Sequence, residues 1–234
     1  MRVLIIGASG FIGHYLQRRL LQKSGFEVTS TYNSRAPQDI DQSWYPLEIT
    51  DYRRLDQVFL QARPEVVVLL AAIADVGTAE RVPARATEVN VDGARQVAQL
   101  CNQHHARLVF LSSEYVFRGD RGNYQEYETP DPNTHYGRTK WQAELAVAYE
   151  ASMWSIVRTS LVYGWPITGR RNLATVIADR LKNGEAYEGD TGTYRTPIYV
   201  EYLTEGIMQL VGNYHPGIFH LAGTDWMNMY QFGH

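Results

Sequence analysis

The chain has 234 residues, with 22 basic against 25 acidic side chains and a net charge of −3; 44% of its residues are hydrophobic and 20% charged. That suits one ordinary globular domain with a small annex, not two full domains. The absence of a basic run excludes nucleic acid and an anionic membrane surface as electrostatic partners. The longest apolar run, Val66 to Ala74, is nine residues, about half of a membrane span.

Met1-Arg2 leads straight into Val3-Leu4-Ile5-Ile6, too short for the apolar core of a signal peptide and better read as a first strand. Cys101 is the only cysteine, so no intramolecular disulfide is expected and a cytoplasmic location fits. After the strand, Gly7-Ala8-Ser9-Gly10-Phe11-Ile12-Gly13 reads as a turn, and His14 to Leu21 continues as a helix with Ile12, Leu16 and Leu20 on one face. The G-x-x-G-x-x-G spacing between strand and helix is a dinucleotide signature: Gly7 for the tight turn, Gly10 for approach of a pyrophosphate, Gly13 for close packing of the helix.

A second strand is expected over Glu27 to Tyr32. An NAD enzyme would place an acid near its end to hold the ribose hydroxyls, yet no acid occurs between Val28 and Gln38. Asn33, Ser34 and Arg35 suit a 2′-phosphate instead, so NADP(H) is expected and NAD(H) is disfavoured. Trp44 to Leu47 reads as a third strand. Glu48-Ile49 would lie beside the adenine, with Thr50 as N-cap of the next helix and Asp51 in its first turn. Val66 to Leu70 is a buried strand ending in the small Ala71-Ala72-Ile73, which leaves room for a ribose or pyrophosphate. A helix follows from about Ala84 to His104, with Ala94, Val97, Ala98 and Cys101 on its core stripe. Asn90 near its start reads equally as a buried polar anchor or a surface asparagine. Strands alternating with helices at this spacing imply an α/β fold with a doubly wound parallel sheet, which binds ligands beyond the carboxyl ends of its strands.

Leu108 to Leu111 is a further buried strand, and Ser112 and Ser113 stand at its end. Some twenty residues on, Tyr136 and Lys140 lie four apart at the start of a helical segment and leave the same face. A free tyrosine titrates near pH ~10, so proton exchange near neutrality needs the phenolate favoured by roughly three units, about 4 kcal/mol. A nearby ammonium is of the right size to supply much of that. Lysine is rare here, at Lys23, Lys140 and Lys182 alone, which suggests that a compact point charge is wanted at position 140. Alone, Tyr-x-x-x-Lys is a weak motif; the glycine turn gives it company. Strands at Trp154 to Arg158, Pro197 to Val200 and Ile218 to Leu221 and helices at Asn172 to Leu181 and Glu201 to Val211 complete the chain. No metal-ligand cluster is visible.

Together, GASGFIG, LSSEYVF, THYGRTKWQAE, RTSLVYG and YRTPIYVEYLTEGI resemble the extended short-chain dehydrogenase/reductases, and within them the dTDP-4-dehydrorhamnose reductase-like branch. The resemblance implies a Rossmann domain over 1–164 and 197–213 and a small, shortened C-terminal substrate lobe over 165–196 and 214–234. It implies Ser113, Tyr136 and Lys140 as catalytic residues, the last two also touching cofactor, and NADPH-dependent reduction of a nucleotide-linked 4-keto sugar. Related dehydratases carry an Asp-Glu pair where this chain has Glu114 and Tyr115, which points to simple reduction. A non-catalytic NADP(H)-binding regulatory subunit and a C4 epimerase with tightly held NAD are the alternatives. The expected partner is the nucleotide-sugar substrate, with a homodimer open as the oligomeric state.

Overall fold

The computed structural model describes residues 1–37, 40–166 and 172–234. Gln38 and the 167–171 part of the expected substrate lobe lie outside the described residues. The elements in chain order are β1 (Arg2–Ile6), α1 (Phe11–Gln22), β2 (Glu27–Tyr32), β3 (Trp44–Pro46), α2 (Tyr52–Ala62), β4 (Val66–Leu69), α3 (Val76–Arg81) and α4 (Pro83–Thr87). A wide π-helical turn over Glu88–Asp92 leads into α5 (Gly93–Gln103), followed by β5 (Arg107–Ser113), α6 (His135–Glu150), β6 (Trp154–Thr159), β7 (Val162–Tyr163) and α7 (Leu173–Lys182). The chain closes with β8 (Tyr194–Arg195), β9 (Ile198–Tyr199), α8 (Val200–Gly212), β10 (Gly217–Leu221), β11 (Met227–Asn228) and α9 (Met229–Gly233).

Seven strands form one sheet in the order β10-β6-β5-β4-β1-β2-β3, and every neighbouring pair is parallel. Such a sheet must be covered on both faces, and the apolar strands comply by alternation. Leu4, Ile6, Val67, Leu69, Leu108, Phe110 and Ile156 pack with α2, α5 and α6 on one side. Val3, Ile5, Val66, Val68, Val109 and Val157 pack with α1 and α8 on the other. The strand order reverses between β1 and β4, so a crevice opens at their carboxyl ends. Two short pairs stand apart from this sheet: β11 antiparallel to β8 in the expected lobe, and β7 parallel to β9 within the expected Rossmann ranges. Among the described residues, no helix is long and apolar enough to cross a membrane, and no group of His, Cys, Asp and Glu is placed to hold a metal ion.

Three expectations need correction. Helix α1 begins at Phe11 with Gly10 as its N-cap, so Gly13 stands inside the helix rather than in the turn. The N-cap of α2 is Asp51, whose carboxylate accepts from the Arg54 amide, while Thr50 instead accepts from Arg85. Carboxylate is as good a cap as hydroxyl, and only the backbone turn decides which of two adjacent candidates serves. The helix expected from Ala84 to His104 is interrupted by the π-helical turn. Asn90 lies in that turn and is the buried anchor: it accepts from the Ile73 amide (2.8 Å) and donates to the Ile73 carbonyl (3.1 Å) and the Thr139 hydroxyl (3.0 Å).

Asn90 thus ties the end of β4 to α6. Asn90→Ala leaves a buried N–H, a carbonyl and a hydroxyl without their partner, and is expected to lower the unfolding free energy by about 2–4 kcal/mol. Thermal denaturation checks this; for a chain of this size the melting point should fall by about 2–4 °C per kcal/mol. A loss under about 0.5 kcal/mol, as at an ordinary surface position, would contradict the anchor assignment.

Candidate active site

The glycine turn is built by close approach. Gly7 has φ +94°, and a Cβ there would lie 2.7 Å from the Ala71 amide nitrogen at the end of β4. A Cβ on Gly13 would overlap the Gly7 carbonyl and Ala8, so only glycine lets α1 sit this close to the strand it follows. The turn is held from β2: the Thr31 hydroxyl accepts from the Gly7 amide (3.0 Å), and the Thr31 carbonyl from the Ser9 amide (3.4 Å). Gly10 caps α1 with no side-chain hydrogen bond, which leaves the helix N-terminus facing outward for an anion.

A cleft runs from this turn along the sheet edge. Of the residues expected at a cofactor, Gly7, Ser9, Gly10, Asn33, Ser34, Glu48, Ile49, Ala71, Ala72 and Ile73 all line it. Phe11, Ile12 and Gly13 instead form the first turn of α1, behind the lining. Arg35 is exposed and stands outside the lining. Asn33 donates to the Glu48 carboxylate (2.7 Å), so the end of β2 is laced to the segment after β3.

Ser113, Tyr136 and Lys140 lie two strands over on the same edge, outside the lining of that cleft, and all three are buried. The helix brings Tyr136 to the strand end because Thr134 caps α6 by accepting from the Gly137 amide, and Gly137 lets it press against the Tyr115 carbonyl. The Ser113 hydroxyl accepts from the Tyr115 amide (3.3 Å) and is the group that favours the Tyr136 phenolate, whereas the Ser112 hydroxyl is turned to Glu144. The two adjacent serines are thereby separated: Ser113 faces the phenol and Ser112 does not.

The electrostatics differ from the expectation drawn from spacing. Burial pushes the Tyr136 phenol up to about 12, opposed by the Ser113 hydroxyl and reinforced by Tyr115 and Glu114. Lys140 is not among the groups that shift it. The lysine Nζ donates to the Leu111 carbonyl (2.7 Å) and lies 4.1 Å from the centre of the Phe110 ring. Burial brings Lys140 down to about 7, with Glu144 pulling the other way. Four-residue spacing puts both Cβ atoms on one helix face, yet a lysine stem is long enough for a backbone carbonyl and a ring face to take its head elsewhere.

A family model described as "RmlD substrate binding domain" matches residues 1–234. The chain belongs to that family. A solved dTDP-4-dehydrorhamnose reductase from Bacillus anthracis str. Ames, in complex with NADP, superposes with a TM-score of 0.88 at 30% identity, covering 99% of this chain and 78% of that one. The spore coat polysaccharide biosynthesis protein SpsK of Bacillus subtilis is 28% identical over 99% of this chain and 76% of its own length. The bovine methionine adenosyltransferase 2 subunit beta is 25% identical over 98% of this chain and 69% of its own length.

This RmlD-family chain carries site residues that sequence reasoning missed. Arg85 lines the cofactor cleft, pairing with Glu48 (2.9 Å) and Glu88 (2.7 Å) and donating to Thr50 (3.1 Å). Only its three-residue spacing from Glu88 was visible in the sequence. Arg195 on β8 donates to the Tyr115 hydroxyl (2.6 Å) and pairs with Glu114, directly above the strand end. Tyr115 in turn meets the Tyr136 ring edge-on at 5.7 Å. Nothing in the sequence signals this contact across some eighty residues.

Lys140 titrates at about 7 in the fold against 10.5 ordinarily. Between those values the unfolded chain binds more protons, so the lysine makes the fold more stable as pH rises through that window. Lys140→Met removes this dependence. The variant's stability advantage over the unaltered chain should shrink by about 1 kcal/mol per unit between pH ~7 and ~10, as read by urea unfolding at each pH. A difference that does not change with pH would show that the ammonium is not desolvated.

Proposed function

We propose that this chain is an NADPH-dependent reductase of a nucleotide-linked 4-keto sugar. The observation that carries the reading is the buried Ser113–Tyr136 pair, with Lys140 one turn on, at the edge of the sheet that also holds the glycine cradle. The cradle fits a dinucleotide, since the Cβ atoms that would fill it are absent at Gly7 and Gly13 and a helix N-terminus is left open to the pyrophosphate. Gly7 to Gly13 would hold the pyrophosphate; Asn33 and Ser34, with the exposed Arg35 beside the cleft, the 2′-phosphate side; Glu48 and Ile49 the adenine; Ala71 to Ile73 the ribose. The name of the NADP-bound Bacillus anthracis reductase supports the choice of NADP and of a dTDP-4-keto sugar as the first candidate substrate.

When bound, NADPH supplies the hydride. Ser113 donates a hydrogen bond to the substrate carbonyl oxygen, and Tyr136 donates to the same oxygen and releases its proton as charge develops there. In the dry pocket a phenol at about 12 holds its proton until that oxygen takes it. In this reading the Lys140 ammonium would hydrogen-bond the nicotinamide ribose and stabilise the phenolate left behind. Glu114, Tyr115 and Arg195 shield the pair from bulk water.

A second reading, an NADP(H)-binding subunit that regulates a partner enzyme, is favoured by the likeness to methionine adenosyltransferase 2 subunit beta. Fluorescence titration with NADPH and NADH, followed by a panel of dTDP-, UDP- and GDP-4-keto sugars, separates the two. Tight NADPH binding with oxidation on one sugar is the expected result; tight binding without oxidation on any sugar favours the regulatory role. On the sugar that is turned over, Tyr136→Phe should reduce kcat by about 10²–10⁴-fold while leaving the NADPH Kd within about twofold, because the phenol is spent on the carbonyl. Retained turnover would remove Tyr136 as the acid.

A further inference from the structure

One turn beyond Lys140, on the same buried face of α6, stands a second charge that the mechanism above does not use. Glu144 is 4% exposed, at a position between Lys140 and Val147 where an apolar side chain would serve packing. Its carboxylate is fully committed. Arg158 on β6 donates Nε to one oxygen (3.0 Å) and a terminal nitrogen to the other (2.7 Å), and the Ser112 hydroxyl donates as well. Arg158 is itself buried, lies 5.0 Å from the centre of the Phe117 ring, and reaches the Glu126 carbonyl (3.4 Å) and His220 (3.5 Å).

A buried ion pair is a poor device for stability, because desolvating two charges costs about as much as their attraction returns; a well-packed apolar pair of the same volume does as well or better. What the pair does have is a place. The lysine head meets the Leu111 carbonyl and the Phe110 ring of β5, with Glu144 one turn on along α6; Ser112 from β5 and Arg158 from β6 hold that carboxylate. Glu114 follows on the turn after β5, and α5 contributes apolar side chains to that face. Glu144 is the anion nearest Lys140 along the helix, and Ser112 and Arg158 fix where its charge sits.

We propose that Glu144 is a positioning residue for Lys140: anchored by Arg158 and Ser112, its charge holds a proton on the buried lysine that burial alone would strip away. The downward shift that burial imposes on Lys140 and the opposing pull of Glu144 agree with this arrangement. The consequence for turnover rests on the reductase reading, since a charged Lys140 matters there to the phenolate and the ribose. The hold on the proton does not rest on it.

The test uses the scarcity of lysine. With three lysines in the chain, protein carrying isotopically labelled lysine gives few side-chain resonances, and Lys140→Met assigns the one of interest. A pH titration should place the Lys140 midpoint of Glu144→Gln about one unit or more below that of the unaltered chain, because Arg158 is left uncompensated beside it. Glu144→Asp, which keeps the charge, should restore most of the difference. Should the glutamine variant not fold, Glu144→Met with Arg158→Met removes both charges together and is expected to fold; its midpoint should also fall. An unchanged midpoint in the folded variant overturns the proposal. If the midpoint moves yet no 4-keto sugar is reduced by the unaltered chain, the reductase reading fails and the role of Glu144 stands. If a sugar is reduced, the alkaline limb of kcat/KM should move to lower pH in Glu144→Gln by the same amount as the midpoint.

Discussion

The candidate site depends on dryness. The same burial acts in opposite directions on two neighbouring side chains, raising the Tyr136 phenol to about 12 and lowering the Lys140 ammonium to about 7. Desolvation disfavours whichever form is charged, so it pushes an acid and a base toward neutrality together. The result is a tyrosine that keeps its proton firmly and a lysine poised near neutral pH. In the proposed reaction such a phenol would give up its proton only when an oxygen with rising basicity is set against it. The groups that maintain the dryness are as much a part of the site as the trio: Tyr115 against the phenol, Arg195 and Glu114 above it, Phe110 beneath the lysine.

That arrangement follows from the sheet. All seven strands run parallel, so their carboxyl ends share one edge, and the glycine turn after β1, the small residues after β4 and Ser113 at the end of β5 fall into a row. The row is closed on the far side by α6, which Asn90 ties to the end of β4 through Ile73 and Thr139. Close approach is the price at each join, met by glycine at Gly7, Gly13 and Gly137.

Much of this was legible in the sequence. The parallel, doubly wound sheet could be anticipated from alternating apolar runs and helices, and the cradle from three glycines flanked by the right elements, because both signals are local and period-driven. The trio was legible for a related reason: a strand end and one helix face are positions that spacing determines. What spacing does not determine is where a long side chain puts its head. Lys140 was expected to pair with the phenol; it found the Leu111 carbonyl and the Phe110 ring instead. Arg35 was placed at the 2′-phosphate by its position after β2, yet it stands outside the cleft lining while Arg85, from a helix fifty residues on, stands within it. Arg195 and Arg158 were invisible for the same cause: their partners come from tertiary contact, and arginine is common in this chain, so its identity carried no signal.

The network around Glu144 shows why the invisible part matters. A helix face that reads Tyr136, Lys140, Glu144 and Val147 in projection passes for an amphipathic stripe with two stray charges. In the fold neither is stray. Along the helix the order is phenol, ammonium, carboxylate, with the guanidinium behind; Glu144 bears on Lys140, and Arg158 on Glu144. Removing one member of such a series leaves the next uncompensated in a medium that cannot screen it. The lysine near its midpoint is therefore the point at which the network is most easily tipped, and the buried Glu144–Arg158 pair is best understood as fixing that balance rather than as holding the helix to the sheet.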